Sequence, residues 1–252
     1  YGAGNGACLS DRCCLLARSH IGMSGIVRAE MEIAVARNDP VVLQLQTDYI
    51  AEMRRHTEPY TVTRGGREYD VLPNVFPPYI DSEMIARVMH IEVGDDVLDI
   101  GSGSGFIAVN AAASAKHVVA TDINPAAIET IRANAARHNV DDRLSAVQAD
   151  VFPESKGAFD VVTFNPPFSD HAATDVVERS VWDPGHAAVR KFMAEIGEHL
   201  NPGGRIYISW ADFADLQFFE ELLGKHGMRY ERIDEVTDGT SLFVAYKVTL
   251  EK

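Results

Sequence analysis

Ten residues constrain this chain more than any others: Val97-Leu98-Asp99-Ile100-Gly101-Ser102-Gly103-Ser104-Gly105-Phe106. An apolar, β-forming run (Val97, Leu98, Ile100) meets three alternating glycines, and an alanine-rich helical pattern continues from Ile107 to Ala115. That order reads as buried strand, tight turn and helix N-terminus. Glycine has no Cβ, so the backbone can approach a ligand closely, and the unpaired N–H groups of a helix start favour polar or anionic groups. The turn is a candidate seat for a nucleotide-like ligand. Taken alone, the same spacing also fits a purely structural strand–helix turn, and the residues downstream of it discriminate between the two.

From residue 97 onward strands and helices alternate, the pattern of a parallel α/β sheet. Strands are expected at Val97 to Ile100, His117 to Thr121, Leu144 to Gln148, Phe159 to Phe164 and Arg205 to Trp210. Glu231 to Val236 and Ser241 to Leu250 read as a closing hairpin around Thr237-Asp238-Gly239-Thr240. Helices are expected from Asn124-Pro125 to about His138, with Asn as cap and Pro in the first turn, then over Ala187 to Leu200 and Phe213 to His226. Upstream, Ile26 to Ala36 and Val41 to Arg55 read as helices and Tyr60 to Val71 as a hairpin turning at Gly65-Gly66. Leu72 to Tyr79 is a proline-stiffened extended stretch, after which Asp81 or Ser82 can cap a helix to about His90, with Glu83 in its first turn. The expected fold class is α/β: a Rossmann-like, seven-stranded, mostly parallel sheet with a C-terminal antiparallel hairpin, plus a short N-terminal helical segment. The division is an N-terminal arm and helical segment over 1–58 and a main domain over 59–252. Met23-Ser24-Gly25 reads as a translation start, which makes the preceding residues an extension.

Charge and composition narrow the function classes. Of 252 residues 46% are hydrophobic, enough for a sizeable core. No apolar run approaches a membrane span, and no secretory signal pattern opens the chain, so the expectation is a cytoplasmic protein. Net charge is −14; residues 1–58 carry 6 basic and 7 acidic side chains, leaving 17 and 30 for the rest. An acidic body repels phosphate backbones, which sets long nucleic acid below a protein, peptide or small molecule as partner. The three cysteines, Cys8, Cys13 and Cys14, lack a second Cys or His pair at ligand spacing, so neither a zinc site nor a disulfide framework is expected, and no metal.

In an open α/β sheet ligands bind at the carboxyl ends of the strands. Asp122 falls 21 residues after Gly101, the spacing that brings a carboxylate onto a ribose diol, and Asp150 follows the third strand, where it can meet an adenine amino group. Each aspartate alone also reads as a cap or a solvated loop charge. A dinucleotide dehydrogenase needs a third fingerprint glycine where this chain has Phe106.

The order of elements over roughly residues 68–250 resembles the class I S-adenosylmethionine (SAM) methyltransferases. The resemblance rests on Asp99-Ile100-Gly101-Ser102-Gly103-Ser104-Gly105, Thr121-Asp122-Ile123-Asn124, Ala149-Asp150-Val151, Asn165-Pro166-Pro167-Phe168 and Leu200-Asn201-Pro202-Gly203-Gly204. It implies SAM as cofactor. The implied contacts are Asp99, Gly101, Ser102, Gly103, Gly105 and Phe106 in the glycine turn, Asp122, Ile123 and Asn124 at the ribose, and Asp150 and Val151 at adenine. Asn165-Pro166-Pro167-Phe168 resembles the motif of methyltransferases acting on a planar nitrogen, and these four are the candidate catalytic residues. An NH₂ group has two donors, which Asn165 Oδ1 and the Pro166 carbonyl can accept; the prolines fix φ and remove competing donors, and Phe168 offers a flat face. Positioning then does most of the work, since the proton can leave after nitrogen becomes cationic.

Val71-Leu72-Pro73-Asn74-Val75-Phe76-Pro77-Pro78-Tyr79-Ile80-Asp81-Ser82-Glu83 resembles the lead-in of the release-factor glutamine methyltransferases, the HemK/PrmC type. Two features differ: residues 26–55 do not match that family's larger helical bundle, and Pro78-Tyr79 stands where it has a basic residue. Candidate acceptor-binding residues are Phe76, Tyr79, Phe168 and Trp182, the last in a candidate lid over Ser169 to His186 that also holds His171. The implied activity is SAM-dependent methylation of an amide or amine nitrogen, first of a protein glutamine. The alternatives are a small-molecule methyltransferase, an RNA or DNA nucleobase methyltransferase, and a non-catalytic interaction subunit of the same fold. The oligomeric state stays open.

Overall fold

The computed structural model describes residues 40–154 and 157–251. The expected helix over 26–36 and the three cysteines lie outside the described residues. Helix α1 (Pro40–Arg55) leads into a two-stranded antiparallel hairpin, β1 (Tyr60–Arg64) and β2 (Arg67–Val71), and then into α2 (Ile80–Val88). The main sheet comprises β3 (Asp96–Ile100), β4 (His117–Asp122), β5 (Leu144–Gln148), β6 (Phe159–Phe164), β7 (Leu200–Ala211), β8 (Met228–Thr237) and β9 (Leu242–Leu250). Its spatial order is β5-β4-β3-β6-β7-β9-β8; the first five run parallel, and β9 is antiparallel to both β7 and β8. This is the expected seven-stranded Rossmann-like sheet with its C-terminal hairpin.

The core follows from composition of the strands. Val97, Leu98, Val161, Val162, Ile206 and Ile208 are fully buried, as central parallel strands covered on both faces require. Helix α3 (Phe106–Ala112) buries all of its residues but Asn110, α4 (Pro125–Arg137) buries one face, and α5 (Ala187–Glu195) and α6 (Leu216–Lys225) complete the cover. Asn124 caps α4 as expected, its side chain accepting from the Ala126 N–H at 3.0 Å.

Four local expectations are corrected. Asp81 and Ser82 do not cap α2: the cap is Tyr79, and Ser82 Oγ accepts from the Tyr79 N–H. Asn201 to Gly204 do not precede a strand at Arg205. They form an irregularity inside the longer β7, where the partners jump from Phe159–Leu200 to Val161–Arg205. The helix expected over 187–200 ends at Glu195 and tightens into a 3₁₀ turn over Ile196–Glu198, and the last helix starts at Leu216 behind an Asp215 cap.

The sheet order places a switch point between β3 and β6, because the chain winds outward through β4 and β5 before returning to the other side of β3. A crevice at the carboxyl ends of those two strands is the consequence. Helix α1 closes over it: Ile50 and Met53 pack with Val177, against Phe76, Val181 and Trp182.

Candidate active site

The parallel register pairs Ile100 with Phe164, so the chain steps off β3 into Gly101 and off β6 into Asn165 side by side. A cleft of about 280 Å³ opens there. Its floor is Gly101 to Ser104, Asp122 to Asn124, Ala149 to Val151 and Asn165 to Phe168; its roof is Gln46 and Tyr49 of α1, Phe76 to Tyr79, and Val181 to Asp183.

Within the glycine turn Gly103 and Gly105 do different jobs. Gly103 (φ 55°) lies under the lead-in: a Cβ there would come within 3.3 Å of the Phe76 carbonyl oxygen. Gly105 (φ 82°) does not line the cleft; a Cβ would meet the Ile131 backbone at 3.3 Å, so this glycine lets α3 approach α4. Asp99 also stands behind the cleft, buried, accepting from Ser102 Oγ at 2.5 Å and Thr163 Oγ1 at 2.7 Å. Burial pushes its carboxyl up to about 6 against those two donors. Of the candidate cofactor contacts, Asp99 and Gly105 do not line the cleft; both position the turn from behind it. Phe106 and Ser102 do line the cleft.

Asp122 is held rigidly. Its Oδ2 accepts from the Gly103 N–H and its Oδ1 from the Asn124 N–H, both at 2.8 Å, while burial raises its pKa. Each carboxylate oxygen keeps lone pairs beyond the bond it already accepts, so a vicinal diol fits here. Asn124 turns its Nδ2 to the Asn74 carbonyl at 2.8 Å and so ties the lead-in to β4. Asp150 follows β5, its carbonyl taking a bond from Lys191 Nζ at 2.8 Å, with its carboxylate 3.4 Å from the same ammonium. Val151 next to it has φ 68°, a costly conformation for a β-branched residue, held by Thr121 Oγ1 donating to its carbonyl at 2.8 Å. An acceptor-rich carboxylate between a glycine floor and a strained β5 end suits the ribose and base of a nucleoside; SAM fits the residues present.

At the other end Asn165 faces the cleft with its amide already anchored. Ser209 Oγ donates to its Oδ1, and its Nδ2 lies 3.4 Å from Ser82 Oγ. One Oδ1 lone pair is therefore taken by protein, and the other remains for an incoming donor. Phe168 is buried at the cleft wall, in edge-on contact with Trp210 and Phe213. Phe76, Tyr79 and Trp182 all reach the cleft. The Trp182 indole donates to Gln46 Oε1 at 3.0 Å, and Tyr79 OH donates to Asp238 Oδ2 at 2.9 Å. Sequence reasoning missed Tyr49, Gln46, Ser209 and Lys191. None sits in a motif; Ser209 could be found only from the parallel pairing of Phe164 with Ile208, which sets it beside Asn165.

The family profile for the methyltransferase small domain matches residues 78–233. The chain belongs to the methyltransferase small domain family. An N5-glutamine methyltransferase so named, with "putative", in Methanocaldococcus jannaschii is 33% identical over 143 residues, 54% of this chain and 72% of that one. The release factor glutamine methyltransferase of Koribacter versatilis is 34% identical over 189 residues, 64% of this chain and 65% of its own. The ribosomal RNA small subunit methyltransferase C of Shigella flexneri is 28% identical over 174 residues, 64% and 47% of the two chains. The chain thus spans less than two thirds of the last two relatives. Among solved structures, the Thermus thermophilus 16S rRNA N2 G1207 methyltransferase superposes with a TM-score of 0.58 at 20% identity over 77% of this chain and 50% of that one, which shows the shared fold. As a methyltransferase small domain, the protein is a SAM-dependent enzyme, and bound SAM supplies an electrophilic methyl group on a sulfonium.

Proposed function

We propose that this methyltransferase small domain methylates an amide or amine nitrogen, a protein glutamine in the first place. The observation that carries the reading is the adjacency of Gly101 and Asn165 at paired strand ends, at one cleft. In this reading Asp122 holds the ribose hydroxyls and the segment from Asp150 to Val151 borders the base. The remaining Oδ1 lone pair of Asn165 and the Pro166 carbonyl accept the two hydrogens of an NH₂ group. Both hydrogen bonds fix the nitrogen, so the orientational freedom of the acceptor is lost on binding rather than at the transition state. Phe76, Tyr79, Phe168 and Trp182 exclude water around it, which leaves a neutral nitrogen as the better nucleophile.

The relatives named for glutamine methylation favour a protein acceptor, and the net charge of −14 favours a basic one. The relative named for ribosomal RNA supports a second reading, an exocyclic base amine. One experiment separates them: incubation with methyl-labelled SAM and lysate divided into protein, RNA and metabolite fractions. Label in protein, recovered as methylglutamine on digestion, is the expected outcome. Label confined to RNA would transfer the assignment to the second reading.

A further inference from the structure

Asn165 can serve as an acceptor only if its amide faces the right way, and an amide can flip. What decides its direction is a third residue. Asp81 lies in the first turn of α2, is 3% exposed and borders the same cleft. Its Oδ1 accepts from the Ser82 N–H at 2.6 Å; burial raises its pKa, and the neighbouring Asn165 and Ser82 side chains oppose that rise. Ser82 Oγ sits 3.4 Å from both Asp81 Oδ1 and Asn165 Nδ2, closing the group.

We propose that Asp81 is a positioning residue whose carboxylate locks the Asn165 amide with Nδ2 inward and Oδ1 toward the cleft, so that the site selects a nucleophile still carrying N–H. The reason is the asymmetry of donors and acceptors. Ser209, at the other end of the amide, has a hydroxyl that donates or accepts equally well and so tolerates either orientation. Ser82 alone would be as ambivalent, but its hydroxyl donates to Asp81 Oδ1 at 3.4 Å, which leaves its oxygen to accept from Asn165 Nδ2 at 3.4 Å. A carboxylate only accepts, so Asp81 holds the Ser82 hydroxyl as a donor toward itself, and the Ser82 oxygen then admits the NH₂ end of Asn165 alone. With Asp81 in place, the lone pair left on Oδ1 meets an incoming donor. An acceptor molecule offering an ester or carboxylate oxygen at that point would face lone pair against lone pair, and one buried polar group would be left unsatisfied. The inference rests on the nitrogen-methylation reading and adds to it the residue that enforces that choice.

The test uses the full chain saturated with S-adenosylhomocysteine and two probes: N-acetylglutamine methylamide, and the matching γ-methyl ester, which keeps the shape but has no side-chain N–H. Binding of each is measured by NMR titration to wild type, Asp81→Asn, Asn165→Asp and the double variant. Wild type is expected to prefer the amide about tenfold, the worth of one such hydrogen bond. Asp81→Asn should lose that preference while its affinity for S-adenosylhomocysteine stays the same. The double variant, which again opposes one carboxylate to one amide but with the acceptor-only group at 165, should regain it. An undiminished preference in Asp81→Asn overturns the proposal and leaves the nitrogen-methylation reading standing. No preference in wild type overturns both. Should the variants not fold, the wild type still decides: the Asn165 side-chain NH₂ signal should exchange with deuterium slowly, and fast exchange overturns the lock.

Discussion

At the scale of single residues, two aspartates with similar neighbours have opposite uses. Each accepts one hydrogen bond on each carboxylate oxygen, but Asp122 lines the cleft, whereas Asp99 holds Ser102 and Thr163 behind it. Asp122→Ala should weaken SAM binding by at least tenfold, since hydrogen bonds to a charged group contribute roughly 1.5–3 kcal/mol. Calorimetry checks this, and an unchanged dissociation constant would remove Asp122 from the ribose. Asp99 should reveal itself in stability against pH. Its ordinary pKa is 3.8, and desolvation raises it to about 6 in the folded protein. Between these values the folded state therefore binds more protons than the unfolded one. The contribution of Asp99 to stability falls as pH rises from about 4 to 6, by on the order of 3 kcal/mol, and is level outside that window. Denaturant titrations of wild type and Asp99→Asn across pH 4–7 should differ by that slope. Parallel curves would mean that the carboxyl ionises normally.

At the scale of elements, helix α1 is held on the cleft by side-chain contacts, the packing of Ile50 and Met53 and the hydrogen bonds of Gln46 to Ser169 and Trp182. Its ion pairs, Arg54 with Asp175 at 2.6 Å and with Glu178 at 3.1 Å, are solvent-exposed and contribute little. Ile50 and Met53 supply the buried apolar contact. Ile50→Ala should cost about 2–4 kcal/mol of α1 docking. Limited proteolysis should then cut within α1 well before the sheet, and a cleavage pattern like that of wild type would show that the roof is held by something else. The strands of the sheet were legible in the sequence because each is a short apolar run ended by a glycine, asparagine or aspartate, and β3, β4, β5 and β6 fall within a residue of their expected places. The floor of the cleft was legible for the same reason: its residues immediately follow those strands. The roof and the support of Asn165 were not. Ser209 lies 44 residues from Asn165 and Gln46 lies 136 from Trp182, and no local periodicity encodes such contacts. Gly105 reads as a ligand contact in the sequence because a glycine needed for helix packing and one needed under a ligand look alike there.

For the whole molecule, the parallel winding explains why the chemistry gathers in one place. The chain order of β3, β4, β5 and β6 becomes β5-β4-β3-β6 in space, and the crevice forms where the direction reverses. The glycine turn, Asp122, Asp150 and Asn165 reach it from four strand ends, though 64 residues separate Gly101 from Asn165 in the chain. The most direct measurement is a crystal structure with sinefungin, which carries an amine where SAM carries its transferable methyl group. The expected result has the adenosine hydroxyls on Asp122 and the amine turned to Asn165 Oδ1. A nucleoside bound away from Gly101 to Gly103, or an amine directed away from Asn165, would contradict the assignment of this cleft to nitrogen methylation.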